Sequence, residues 1–443
     1  MSVIADCGLR PKHPRFVSFG RTIRNGFKEG MVRILDFFQK LFSIRNSQFE
    51  VRNKLDRFLV AVVALAVLSR IAFFVVWRAQ NLVVLFPHDP YPTVALSWLG
   101  WTPPLDSIGH PPLYSAFLAV LFWFFRGARD WVVPGLQCLL SAGSTLLLYS
   151  WARRVGPEVA AKLAALGMAL DPFLIFFAPQ YQSETFFVFL ILCFFVVLYR
   201  ALENPRGRTA FSAGFLGGLA SLSRGVFLTY APFLALSLGG MRRWDVLRWM
   251  VLGWTLPILL WTLKNAHTHH AFIPVSAQSG WNMYEGFTLD REELRRRPQE
   301  MTREIKKAGI QDPIEIDRYF QKKINHWIRE NPGAALKIVF FKLFRFWRPW
   351  PYDPYSGPAR WVIGIYCGGV LSLALWGMVR LRGIWNLLMP VFAFFVGLTI
   401  LHSIYFTSLR YRIPLEPFLL FFAAVGLVDI WSRMPAKRSV GVG

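Results

Sequence analysis

Acidic residues are scarce in this chain: 26 Asp and Glu stand against 50 Lys and Arg among 443 residues, a formal net charge of +24. Cysteine is scarcer still. Cys7, Cys138, Cys193 and Cys367 lie far apart, three of them inside apolar blocks. That pattern excludes a disulfide framework and a cysteine metal cluster, and leaves buried, inert thiols. The chain has no P-loop motif, no dinucleotide glycine fingerprint and no long Gly-rich phosphate loop, so a nucleotide-driven reaction has no support. The acid deficit raises nucleic acid as a partner. The basic residues, however, sit in tails and short loops beside apolar blocks, which is the membrane arrangement, and we read no nucleic-acid binding.

What the chain has in abundance is apolar and aromatic mass. Hydrophobic residues make up 54% and aromatics 16%, with 41 phenylalanines, and the mean hydropathy is +0.37. The apolar residues come in blocks near the ~20 residues that cross a hydrocarbon core: 57–77, 131–152, 184–199, 361–379, 386–404 and 413–431. An all-α polytopic membrane protein is the expected fold class. No cleavable leader is visible, because the first apolar block begins near residue 57. Residues 1–56 are basic and include an amphipathic stretch, 31–44, suited to lying on an anionic inner leaflet.

Charge asymmetry sets the expected topology. The basic N-terminus stays cytoplasmic, so 57–77 runs outward and 78–110 is external. If 111–125 and 131–152 both crossed, Arg153 and Arg154 would lie outside. The repair is that 111–125 is a juxtamembrane helix, since 15 residues span only ~22 Å. The remaining blocks then give about ten spans: 57–77, 131–152, 158–178, 184–199, a hairpin of 209–223 and 225–239 turning at Arg224, 249–263, 361–379, 386–404 and 413–431. The domain plan is a basic segment 1–56, a transmembrane module 57–263, an external stretch 264–360, C-terminal helices 361–432 and a cytoplasmic tail 433–443. Within the external stretch, Asp290 with Glu293, and Asp312-Pro313 with Glu315, predict capped starts of two charged helices. The run 337–350 alternates basic and aromatic residues, as an interfacial helix facing phosphate headgroups would.

Polar residues at the external mouth are the candidates for chemistry. Asp89 sits in a loop held by Pro87, Pro90 and Pro92, which fixes its carboxylate as a candidate general base; the loop alone equally fits a turn-forming aspartate. Glu184 opens an apolar block, where an acid is also favoured by the helix dipole alone. His110, Arg224, Lys264, Arg410 and Arg412 form a basic set. Arg224 interrupts an apolar hairpin, and an arginine at membrane depth costs roughly 2.5–3.5 kcal/mol on insertion scales. Arg410 and Arg412 lie on the side the positive-inside rule disfavours, which points to an anionic partner or to snorkelling toward headgroups. Arg70, inside the first span, reads equally as a structural charge. His267, His269 and His270 have no acidic or cysteine ligand beside them, and we expect an interfacial loop and no metal site.

In order along the chain, these pieces resemble the GT-C glycosyltransferases, in particular bacterial members of the dolichyl-phosphate-mannose–protein mannosyltransferase-like family, which includes the lipid A aminoarabinose transferases. The resemblance is carried by Asp89-Pro90-Tyr91 with His110-Pro111-Pro112-Leu113-Tyr114, by Ser183-Glu184-Thr185, and by the Gly-rich span 214–224 ending in Ser-Arg. Its C-terminal part is Pro332-Gly333 through Lys342, Phe346 and Trp347, then Arg410-Tyr411-Arg412-Ile413-Pro414. It implies a GT-C-like helix bundle with external juxtamembrane helices, in the bacterial inner membrane. It further implies inverting transfer of a sugar from a polyprenyl-phosphate donor, on the external face, to a glycan, lipid or protein acceptor. Asp89 takes the acceptor proton, and Glu184 orients the acceptor, or a divalent cation if one is used; no cofactor is required. His110 contacts the donor phosphate, with Arg224, Arg410 and Arg412 in the same duty. Two positions depart from the family pattern: His88 and Pro90 flank Asp89 where relatives often place a second acid, and Glu416 stands at a span position that is usually apolar. A transporter or flippase of lipid-linked sugars is the alternative function, and a non-catalytic scaffold the third.

Overall fold

The computed structural model describes residues 57–80, 90–105, 107–127, 129–351 and 357–433. Asp89, Cys7, the amphipathic stretch 31–44 and the tail from 434 lie outside the described residues. The described chain is all-α, an integral membrane architecture of seventeen helices joined by short turns. Seven helical segments are long and apolar enough to cross a bilayer: Arg57–Ala79 (α1), Arg129–Val155 (α4), Ser183–Glu203 (α7), Trp244–His269 (α10), Pro358–Arg380 (α15), Arg382–Ile404 and Leu409–Arg433. The other three expected spans are helical but shorter: Glu158–Leu170 (α5), Gly207–Ser223 (α8) and Tyr230–Gly240 (α9). The juxtamembrane reading of 111–125 corresponds to a 13-residue helix, Pro112–Phe124 (α3), seated on the short helix Tyr91–Trp98 (α2) through the edge-on rings of Tyr91 and Tyr114.

One expected span is broken. Residues 158–178 form two helices, because Asp171-Pro172 ends α5 and starts Pro172–Phe177 (α6). Pro172 offers no N–H to continue the first helix, and Asp171 caps the second by accepting from Leu174 N at 2.8 Å. The carbonyls orphaned at the end of α5 are taken by Arg70: it donates to Met168 O at 2.9 Å and Ala169 O at 2.9 Å, and also to Ser141 Oγ at 2.8 Å. A fully buried cation at a helix C-terminus is thereby matched to the dipole and hydrogen-bonded. This is the structural reading of Arg70. The second oxygen of Asp171 accepts from Tyr366 Oη at 2.6 Å, which ties α15 to the same break.

Helix α7 is the axle of the bundle, buried along most of its length between α4 and α8. Helices α8 and α10 approach so closely that a Cβ at Gly214 would fall on the Met250 carbonyl, and one at Gly253 on the Phe211 carbonyl. Small residues at a helix crossing allow this backbone contact, which supplies dispersion where lipid removes the hydrophobic drive. Above it, Phe194, Phe195, Phe227, Tyr230, Trp254, Phe394 and Phe418 pack ring on ring. The buried Tyr230 and Tyr199 hydroxyls donate to the carbonyls of Pro390 and Leu387, both at 2.8 Å.

The stretch between α10 and α15 holds four helices: Ser279–Gly286 (α11), Arg291–Ala308 (α12), Pro313–Glu330 (α13) and Pro332–Trp347 (α14). Asp290 caps α12 through Glu292 N at 2.8 Å, and Thr288 links Asp290 N to the Glu293 carboxylate, so the capping box closes through a hydroxyl. Asp312 caps α13 through Ile314 N at 3.0 Å. Helix α14 leaves Leu336, Phe340, Phe341 and Phe344 exposed. The three expected histidines end α10, with His270 in the left-handed region at φ 50°. Among the described residues no three His, Cys, Asp or Glu side chains gather as metal ligands.

Candidate functional site

A cavity of about 530 Å³ opens between α2, the segments leading into α3 and α9, α11 and the end of the helix Trp385–Ile404 (α16), lined by Pro90, Tyr91, His110, Arg224, Gln278, Asn282, His402, Tyr405, Arg410 and Tyr411 among others. Arg224 reaches it because α8 ends there. Arg224 takes an extended conformation, φ −146° and ψ 116°, and a single 3₁₀ turn, Gly225–Phe227, separates it from α9. It therefore sits in a turn at the cavity and not within an apolar span. Arg410 comes from the 3₁₀ segment Leu409–Leu415, which precedes the last helix, Glu416–Arg433 (α17).

Both arginines converge on Glu184, in the first turn of α7. Arg224 Nη1 lies 2.7 Å from Glu184 Oε1, and Arg410 Nε donates to the same oxygen. The carboxylate is fully buried, and its Oε2 has no partner among the described residues. Two guanidinium groups thus meet one carboxylate oxygen, in a pocket where water screens poorly. The turn that presents Glu184 is held from below. Tyr114 Oη donates to Gln137 Oε1 at 2.7 Å, Gln137 Nε2 donates to Gln180 O at 2.9 Å, and Thr185 Oγ1 donates to Phe177 O at 3.0 Å. Arg224 also lies over the rings of Phe187 and Tyr411, at 5.8 and 5.7 Å, which fixes the direction of its fork.

His110 lines the same cavity, edge-on to Tyr91. Burial pushes its pKa down to about 4, so at neutral pH the ring is uncharged and carries a single N–H donor. Arg412 is elsewhere. It is buried with Glu416, 3.0 Å away and four residues on, and donates to Arg348 O at 3.2 Å; it is not among the cavity residues. The unexpected Glu416 is thus the partner of Arg412, as i, i+4 spacing allows. Lys264 stands over Trp261 at 4.8 Å, also away from the cavity.

Some cavity residues went unnoticed in the sequence. His402 is held between two rings, stacked on Phe346 at 5.7 Å and on Tyr411 at 4.6 Å, with Nδ1 3.0 Å from Phe406 O. Because that carbonyl can only accept, Nδ1 carries the proton and Nε2 is left as the acceptor. An ionisable residue inside an apolar run was the available signal. Gln278 and Asn282 of the external stretch had no signal of their own. Lys342, from α14, is buried below them and donates to Gly286 O at 2.8 Å, Ile404 O at 3.3 Å and Tyr405 O. Burial beside Arg345 and Arg297 pulls its pKa down to about 7. It joins the ends of α11 and α16, at the cavity rim.

Residues 109–263 match the family model of dolichyl-phosphate-mannose-protein mannosyltransferases. That stretch contains His110, Glu184 and Arg224. No match was found among curated proteins. In fold, the chain is similar to the oligosaccharyltransferase of Archaeoglobus fulgidus. Its apo form aligns with TM-score 0.53 and 15% identity, over 87% of this chain and 51% of that one. The form tethered to an acceptor peptide containing an NVT sequon aligns with TM-score 0.50 and 14% identity, over 85% and 50%. The chain spans about half the length of these enzymes. The GT-C resemblance seen in the sequence thus has a family match over residues 109–263 and a shared fold over most of the chain.

Proposed function

We propose that this protein is a membrane glycosyltransferase that moves a sugar from a polyprenyl-phosphate donor to a hydroxyl-bearing acceptor, with inversion. The observation that carries the reading is the pair Arg224 and Arg410, pinned on one oxygen of buried Glu184 and facing a cavity at the end of the bundle. Preoriented guanidinium groups in a water-poor pocket suit a lipid phosphate, whose negative charge grows as it leaves. His110 adds a neutral N–H donor. In the reaction, the acceptor oxygen attacks the anomeric carbon and the bond from that carbon to the phosphate oxygen breaks. The electron pair stays on the polyprenyl phosphate, and the acceptor proton passes to Asp89. Pro90, the next residue after Asp89, lines the cavity, which supports that assignment. Glu184 holds the arginines and orients the acceptor.

The acceptor class stays broad: a glycan, a lipid or a protein hydroxyl. The described residues at Glu184 do not fit a divalent cation, because two guanidinium groups already face the carboxylate. The reading places the protein in the bacterial inner membrane with the cavity outward. The test supplies membranes with a radiolabelled polyprenyl-phosphate sugar. Loss of transfer in Asp89→Asn and in Arg410→Ala is expected. Full transfer by Asp89→Asn would remove Asp89 as the base, and translocation of the lipid without any transfer would make the protein a flippase.

A further inference from the structure

The arginines account for the anionic part of a donor, but much of the cavity lining is neutral and polar. Gln278 and Asn282 both face the cavity. They are four residues apart at the start of α11, where Asn282 N donates to Gln278 O at 3.0 Å, so their side chains share a face. Ser279, between them in sequence, is committed to Asp317 Oδ2 at 3.3 Å. Neither carboxamide has a hydrogen-bond partner among the described residues.

The helix that carries them is clamped at both ends. At its start, Asp317 Oδ1 accepts from Gly280 N at 2.7 Å and from Trp281 N at 3.2 Å. Gly280 packs so closely on the backbone of Asp317 and Gln321 that no side chain fits there. At its end, Gly286 rests against Tyr405, and its carbonyl accepts from Lys342 at 2.8 Å. Two unpaired carboxamides on a fixed helix are preorganised for recognition.

We propose that Gln278 and Asn282 form a subsite for a neutral, hydroxyl-rich ring, beside the phosphate-binding arginines. A carboxamide offers two N–H donors and a carbonyl acceptor without charge, which matches hydroxyls that both donate and accept. A phosphate has no reason to prefer this face over two guanidinium groups in the same cavity. The subsite rests on the proposed function only for the source of the ring, which is either the donor sugar or a glycan acceptor.

The test uses full-length protein in lipid nanodiscs, wild type and the double variant Gln278→Ala/Asn282→Ala. Both side chains are only half-buried, and an unchanged unfolding midpoint checks the fold. Three probes are titrated: polyprenyl phosphate without a sugar, a panel of polyprenyl-phosphate monosaccharides, and soluble methyl glycosides. Wild type should bind one sugar-bearing lipid more tightly than the bare lipid, and the double variant should lose that preference by roughly tenfold to a hundredfold, as two neutral hydrogen bonds allow. Its affinity for the bare lipid should stay within about twofold of wild type, as the arginines are untouched. If donor preference stays but the KM for a glycan acceptor rises by a similar factor, the ring belongs to the acceptor. If soluble glycosides bind and are weakened in the variant while polyprenyl phosphate does not bind wild type, the subsite stands and the proposed donor falls. No change in any arm overturns the subsite.

Discussion

Arg224 and Arg410, 186 positions apart in sequence, meet on a single oxygen of Glu184. The arrangement makes Glu184 both an electrostatic brake and a jig: it offsets part of the cationic charge and fixes both forks toward the cavity. Glu184→Gln keeps the shape but leaves two guanidinium groups in a buried place without their counter-charge. Because both arginines reach solvent at the cavity, the loss of stability should fall at the lower end of the buried-pair range, about 3 kcal/mol. Denaturant unfolding in detergent measures it. Affinity for polyprenyl phosphate should rise or hold while the rate of transfer falls, which a stability loss alone would not produce.

Arg412 and Arg410 are separated by one residue and by their surroundings. Arg412 belongs to a buried pair with Glu416, so Arg412→Met should destabilise by roughly 3–5 kcal/mol, through the carboxylate it strands. The double variant Arg412→Met/Glu416→Leu removes both charges and should recover most of that loss. If Arg412 served the donor phosphate instead, the double variant would regain stability and still bind polyprenyl phosphate poorly. Comparing unfolding with lipid binding in the same two variants decides between the roles.

Much of the fold was legible because a bilayer leaves few options: every apolar run long enough to span had to be helical. The parity of arginine-rich loops set 111–125 apart from the spans, and Pro112–Phe124 is a 13-residue helix, shorter than the seven long apolar ones. The break at Asp171-Pro172 was written in the sequence as a cap and an N1 proline, but continuous hydropathy across residues 158–178 masked it. The link between Arg412 and Glu416 was open to reading from spacing alone. The meeting of Glu184 with Arg224 and Arg410 was not, since it depends on how α7, the end of α8 and the 3₁₀ segment Leu409–Leu415 pack. The same is true of Gln278 and Asn282, whose importance lies in what they face and not in any pattern around them.

Two buried titrating groups outside the spans, His110 and Lys342, contribute to the pH response of stability. His110 has a folded pKa near 4, below its usual value of 6.5, so the unfolded chain binds more protons between the two. Its contribution to stability should fall as pH drops through that window and level off below it. Lys342 is held near 7 against its usual 10.5. Its contribution should fall as pH drops from 10.5 toward 7 and flatten below. Unfolding midpoints across pH, in wild type, His110→Gln and Lys342→Met, should show each slope vanish from its own window; at most one proton per group, about 1.4 kcal/mol per pH unit, is available.

The crossing of α8 and α10 gives a prediction in which geometry, not charge, decides. At Gly214 a methyl group would fall on the Met250 carbonyl, and at Gly253 on that of Phe211. These contacts are to backbone, which cannot rotate aside as a side chain would, so the helices must separate along their length. Gly214→Ala should therefore lose more than the usual ~1–3 kcal/mol of overpacking, despite the gain in helix propensity. Gly135→Ala, where a Cβ meets nothing within 4 Å, is the control and should be neutral or mildly stabilising. Separation would also move Arg224, which α8 delivers to the cavity, so Gly214→Ala should weaken polyprenyl-phosphate binding where Gly135→Ala leaves it intact. Equal unfolding midpoints for the two variants would show that the crossing yields more easily than backbone contact allows.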